Sequence, residues 1–144
     1  MQSRRPMKNL LRLEELAQFL LCLFALIASD VPWWAYVLLA IGPDIGMLGY
    51  LVNSKVGALT YNVLHHKGVA VVHLGGAIML GYGQRPMEGL LQEGSILLIT
   101  GVILYGHASL DRIFGYGLKF GVNFQHTHMG WIGKGGPWGT KNDE

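Results

Sequence analysis

The segment Val31–Val52, VPWWAYVLLAIGPDIGMLGYLV, is apolar over the length a helix needs to cross a bilayer, and its one charged residue is Asp44, directly after Pro43. A carboxylate there is costly unless protein, water or a partner charge receives it. The fold must therefore shelter Asp44. Pro43 interrupts the helical hydrogen-bond pattern and can free a carbonyl to line a cavity.

Three further apolar segments accompany this one. One runs from about Leu10 to Ala28, with Glu14 and Glu15 near its start. Another is Val56–Gly83, which holds His65, His66, Lys67 and His73. The last is about Gly89–Leu110, with Glu93 near its start and His107 near its end. The first is short for a span unless its glutamates lie at the boundary or face inward. The connectors Ser29–Pro32, Asn53–Lys55 and Gly83–Pro86 are short. Short links imply antiparallel neighbours, so the pattern predicts an all-α integral membrane protein, a four-helix up-down transmembrane bundle. Ser29 or Asp30 is expected to cap the second helix, with Pro32 in its first turn. Trp33 and Trp34 suit an interfacial belt.

After Asp111-Arg112 the chain turns aromatic and glycine-rich, too much so for a long helix. This cytoplasmic C-terminal tail is expected to fold back on the bundle or lie at the membrane surface, with Trp131 and Trp138 as anchors. Residues 1–133 then form one membrane domain, and 134–144 a flexible C-terminus.

With 144 residues, 51% of them hydrophobic and 14% charged, the composition fits a small membrane protein. A net charge of +2 without a basic run argues against a nucleic-acid partner. Cys22 is the single cysteine, which excludes an internal disulfide and reads as a small buried hydrophobe. Glu14 and Glu15 interrupt the approach to the first apolar run, so no cleavable signal is expected. Lys and Arg cluster in the N-terminal arm, at Lys55, and after the fourth segment at Arg112, Lys119 and Lys134. The predicted location is the inner membrane, multi-pass, with both termini cytoplasmic.

That orientation puts Glu14, Glu15, Asp44, His107 and Asp111 in one leaflet, with His65 at roughly 15 Å depth. Such grouping predicts a shared polar site open to the cytoplasm. His107 and Asp111 are one helical turn apart and share a face, a spacing that suits two ligands to one metal or a histidine oriented by a carboxylate. The plainer reading is a boundary pair, with Asp111 also bound to Arg112 or Lys119. Adjacent His65 and His66 point about 100° apart, so only one of them faces a given site. Asp44 could be a ligand, a proton carrier, or the partner of Lys67 or Arg112. One of Glu14 and Glu15 is expected in the headgroup region, paired with Arg12, and the other facing the bundle. His73 reads as a satisfied core histidine, and His126 and His128 either chelate or decorate a loop. The expected metal ligands are Asp44, His65, His107 and Asp111, with Glu15 or His128 as a further ligand or acid/base. Mixed histidine and carboxylate donors suit zinc, iron or manganese. Metalloprotease, nucleophile-elbow and phosphate-loop motifs are missing, as is the Cys-x-x-Cys-His needed for covalent haem.

LRLEE (Leu11–Glu15), PDIGMLGYL (Pro43–Leu51), KVGALTYNVLHHKG (Lys55–Gly68), HASLDRIFGYGLKF (His107–Phe120) and FQHTHMGWIG (Phe124–Gly133) occur in this order. Together they resemble the bacterial membrane family known as domain of unknown function 4260, over nearly the whole chain. The resemblance implies a small multi-helix membrane protein and brings no reaction. Its motifs favour His65 over His66 and His128 over His126.

Three functions compete. The first is an intramembrane metal site. The second is an accessory or assembly subunit of a larger membrane complex, whose polar cluster is structural. The third is a small oligomeric transporter or proton relay. The expected partners are the lipid bilayer and, in the last two readings, other subunits or copies of the chain.

Overall fold

The computed structural model describes residues 4–80, 93–122 and 125–132. Their α-helices are α1 (Arg4–Ala28), α2 (Trp33–Ile41), α3 (Ser54–His65), α4 (Lys67–Met79) and α5 (Glu93–Phe114). A 3-10 helix, Gly42–Leu51, follows α2, and two short strands, β1 (His126–Thr127) and β2 (Gly130–Trp131), follow α5. The third connector, Trp138 and residues 134–144 lie outside the described residues, as does the side chain of Trp131.

The chain is helical as expected, but two of the four apolar segments are broken. Pro43 opens the Gly42–Leu51 helix, a tight-turned run far longer than the three or four residues usual for that geometry. The next segment breaks at His66, whose extended backbone (ψ 114°) separates α3 from α4. His66 Nδ1 accepts the Gly68 N–H at 3.0 Å and so caps the new helix. Asp44 and His65 lie at the breaks. The α1–α2 turn also differs from expectation. Pro32, which has no N–H to satisfy, is the N-cap of α2, while Asp30 takes a left-handed conformation at φ 48°.

The core lies where α1, α2 and α5 meet, around Cys22, Leu26, Ala35, Leu39, Val102 and Ile103. Cys22 is buried there, as a small hydrophobe should be. The opposite side of α1 exposes Leu10, Leu13, Leu20, Leu21, Phe24 and Ile27. Trp33–Leu51 and Ile96–Phe114 are long and apolar enough to cross a membrane.

Helix α5 ends in a left-handed glycine cap. Gly115 has φ 87°; its N–H reaches the Arg112 carbonyl (3.1 Å), and the Tyr116 N–H reaches that of Asp111 (2.9 Å). This pair of bonds turns the chain back on the helix. The returning strand is held by Asn62 of α3. Its Nδ2 donates to the Lys119 carbonyl at 2.8 Å, and its Oδ1 accepts the Lys119 N–H at 2.7 Å. The chain after α5 therefore lies back against α3 at Lys119, pinned by one side-chain amide.

Candidate metal centre

Four side chains from three separate stretches of sequence converge. Asp44 comes from the first turn of the Gly42–Leu51 helix and His65 from the last residue of α3. His107 and Asp111 come from one face of α5. One ligand atom from each lies within 4.8 Å of every other. His65 and His107 are buried, at 3% and 1% exposure, whereas the Asp44 side chain is 38% exposed.

Backbone partners fix the state of both rings. His65 Nδ1 lies 2.8 Å from the Tyr61 carbonyl, and His107 Nδ1 lies 3.0 Å from the Leu39 carbonyl. A carbonyl only accepts, so each Nδ1 carries the hydrogen and donates it. In the neutral rings both Nε2 atoms then present bare lone pairs, and these face each other at 3.0 Å. Two lone pairs at that distance repel unless a cation or a shared proton lies between them. The carboxylates add two negative charges. Asp44 Oδ1 is 3.4 Å from His65 Nε2 and 3.5 Å from His107 Nε2. Asp111 approaches the same nitrogens at 3.3 and 3.8 Å, through Oδ2 and Oδ1 respectively. The centre is electron-rich on every side.

Tyr61 supports it from behind. Its hydroxyl donates to Asp111 Oδ2 at 2.6 Å, and its ring stacks on His65 with 3.7 Å between centroids. Lys119 is buried at 4% exposure, with Nζ 4.6 Å from the centre of the Tyr61 ring. Burial pulls its pKa down to about 8, against the opposing pull of Asp111 and Asp44. The sign of the resulting pH dependence is fixed. Between about pH 8 and the ordinary 10.5, the unfolded chain binds the Lys119 proton more tightly than the folded one. Stability therefore rises with pH through that window, by on the order of 3 kcal/mol at most. Chemical unfolding from pH 7.5 to 10.5 should show this rise in the wild type and lose it in Lys119→Met. An equal slope in both would place its origin elsewhere.

Residues 8–132 match the family described as a domain of unknown function, DUF4260. The chain belongs to this family. No curated protein and no solved structure matches it.

In this DUF4260 chain the other two residues singled out as ligands fall outside the four-residue cluster. Glu15 Oε2 is bound by Lys67 Nζ at 2.5 Å, and its Oε1 lies 3.8 Å from Arg112. Lys67 also contacts Gln18 Oε1, which accepts from the Tyr105 hydroxyl at 3.1 Å. Lys67 and Arg112 thus pair with Glu15 rather than with Asp44 or Asp111. Glu14 bonds Gln18 and faces outward, and no ion pair of Arg12 is found among the described residues. His128 is exposed and spends Nδ1 on the Leu118 N–H at 2.8 Å. His73 Nδ1 is satisfied by the Val69 carbonyl one turn back. Gln18 and Tyr105 carried no signal in the sequence, since neither is charged nor part of a ligand spacing. Tyr61 did carry one: it lies one turn before His65 on the same face.

Proposed function

We propose that this protein is a membrane-embedded metalloprotein that holds one divalent ion, zinc by preference, between Asp44, His65, His107 and Asp111. The observation that carries the reading is the 3.0 Å approach of the two Nε2 atoms, with each Nδ1 held by a backbone carbonyl and two carboxylates flanking the pair. Four ligands at about 2.1 Å from a tetrahedral ion would stand about 3.4 Å from one another. Five of the six separations run from 3.0 to 3.8 Å, with Asp111 approaching through both oxygens, and one atom from each residue lies within 4.8 Å of the others. A divalent cation would cancel the two carboxylate charges and relieve the lone-pair repulsion together. The carbonyls behind the histidines and the Tyr61 hydroxyl behind Asp111 are the outer partners such a site uses to aim its ligands. The half-open position of Asp44 would let water or a small ligand approach the ion. Helix breaks are tolerated at membrane depth where they line a protected site, which gives the interruptions at Pro43 and His66 a purpose.

In this reading the membrane unit has four spans: α1, α2 with the helix after it, α3 with α4, and α5. The exposed leucines of α1 would face lipid, and the Lys/Arg distribution supports an inner-membrane orientation with both termini cytoplasmic. Residues 1–133 act as one domain.

The test is elemental analysis of protein purified from membranes in mild detergent without chelator, together with an absorption spectrum. About one zinc per chain and a featureless visible spectrum are expected. Chelation should lower the melting temperature, and zinc should restore it. Protein that carries neither zinc nor another transition metal, and whose melting temperature ignores both chelator and added zinc, would sink the proposal.

A further inference from the structure

A second cavity has none of the four candidate ligands in its lining. A cleft of about 690 Å³ opens between the N-terminal half of α1, the end of α5 and the returning tail. Lys8, Arg12 and Arg112 bring three cations to it, with His128 beside them. Glu15 is its one acidic lining residue, and Lys67 from outside the lining already binds that carboxylate at 2.5 Å. Lys8 and Arg12 have no ion pair among the described residues. Among the described residues Arg112 has one ion pair, at 3.8 Å to Glu15, which leaves most of its five donors unspent there. A cavity with this surplus selects an anion with several acceptor oxygens, and guanidinium forks match phosphate.

The remaining walls are apolar. Leu11, Phe114 and Met129 line the same cleft and are 48%, 67% and 45% exposed. Leu11 adjoins the exposed leucines of α1, so the apolar wall runs out of the cleft onto the hydrophobic outer face of that helix. A free inorganic anion would leave this wall unused. We infer that the cleft binds a phosphate group carried on a hydrocarbon, with Arg12, Arg112 and Lys8 on the phosphate and Leu11, Phe114 and Met129 along the chain. The ligand class is a phosphate-bearing amphiphile. The site does not depend on the metal.

Native mass spectrometry of the full chain in mild detergent tests this, with dioctanoyl phosphatidic acid and inorganic phosphate as separate probes. One phosphatidic acid per chain is expected, held at least about tenfold more tightly than inorganic phosphate. Lys8→Gln with Arg12→Gln should weaken it about tenfold or more, as loss of charge-assisted contacts requires. Arg112→Gln should do the same. Lys55→Gln, outside the cleft, should leave it unchanged. Metal content measured on the same samples should stay constant, which separates this result from the fate of the metal centre. Equal affinity for the two probes, failure of both to bind, or an equal loss in Lys55→Gln would each overturn the inference.

Discussion

His107→Ala should abolish the proposed metal binding. Bound zinc should fall from about one per chain to a trace, with an affinity loss on the order of 100-fold or more, since even outer partners of such ligands are worth 10- to 100-fold. The substitution takes away one Nε2 and leaves Asp44, Asp111 and His65 around a hole. Truncating a ring that is 1% exposed also costs about 3 kcal/mol of packing. Two comparisons separate the causes. Tyr61→Phe keeps the ring that stacks on His65 and deletes only the hydroxyl bound to Asp111, so its metal affinity should fall by the smaller, outer-shell amount. Glu15→Gln and His128→Ala should keep full metal, because neither residue belongs to the convergent set. Competition with a chromophoric chelator gives all these affinities. His107→Ala protein that folds and keeps stoichiometric zinc would contradict the assignment. Loss of zinc in His128→Ala would redraw the ligand set.

Much of this centre was legible in the sequence for a simple reason. Charges and histidines in long apolar runs are expensive, so each marks a place where the fold supplies a partner. Asp44, His65, His107 and Asp111 all announced themselves that way, and the one-turn spacing of the last two gave them a common face. Glu15 announced itself equally, yet its partners are Lys67 and Arg112. Cost in an apolar setting reveals that a partner exists and not which one. The helix breaks were harder to read. Pro43 signalled a local disturbance, but the full run of tight turns from Gly42 to Leu51 depends on what α3 presents to it. The break at His66 has no proline, and its glycine, Gly68, lies two residues on, where an added Cβ would meet the His66 ring at 2.7 Å. It rests on an imidazole that caps the next helix, a role for which histidine has no strong sequence signature. The tail was readable in outline because glycine is a poor helix former, and Gly115 is the left-handed cap that composition allowed for. Its anchor, the Asn62 amide on the Lys119 backbone, is a long-range contact that local pattern does not encode.

The largest structural effect should come from a residue outside the four candidate ligands. Helix Gly42–Leu51 and α3 approach so closely that a Cβ on Gly49 would stand 2.2 Å from Thr60 Oγ1 and 3.0 Å from the Gly57 Cα. Opposite it, a Cβ on Gly57 would stand 2.2 Å from the Tyr50 ring. Paired small residues of this kind let two helical backbones meet, as they do at helix interfaces in membranes. Thr60 ties the interface with a hydroxyl that donates to the Gly46 carbonyl at 2.6 Å. Asp44 rides on one of these backbones and His65 on the other, so their 3.4 Å approach is set by this contact. Gly49→Val places three carbons where none fits, and backbone atoms on α3 cannot swing aside as a side chain can. Overpacking of this sort costs about 3 kcal/mol or more. The two backbones must part, and Asp44 is carried away from the histidines. Gly49→Val should therefore lower the midpoint of denaturant unfolding and weaken zinc binding together, although no ligand has changed. Gly49→Ala, with a single added carbon, should show a smaller version of both losses. A Gly49→Val protein as stable as wild type, with zinc affinity intact, would mean that the two backbones do not meet at Gly49.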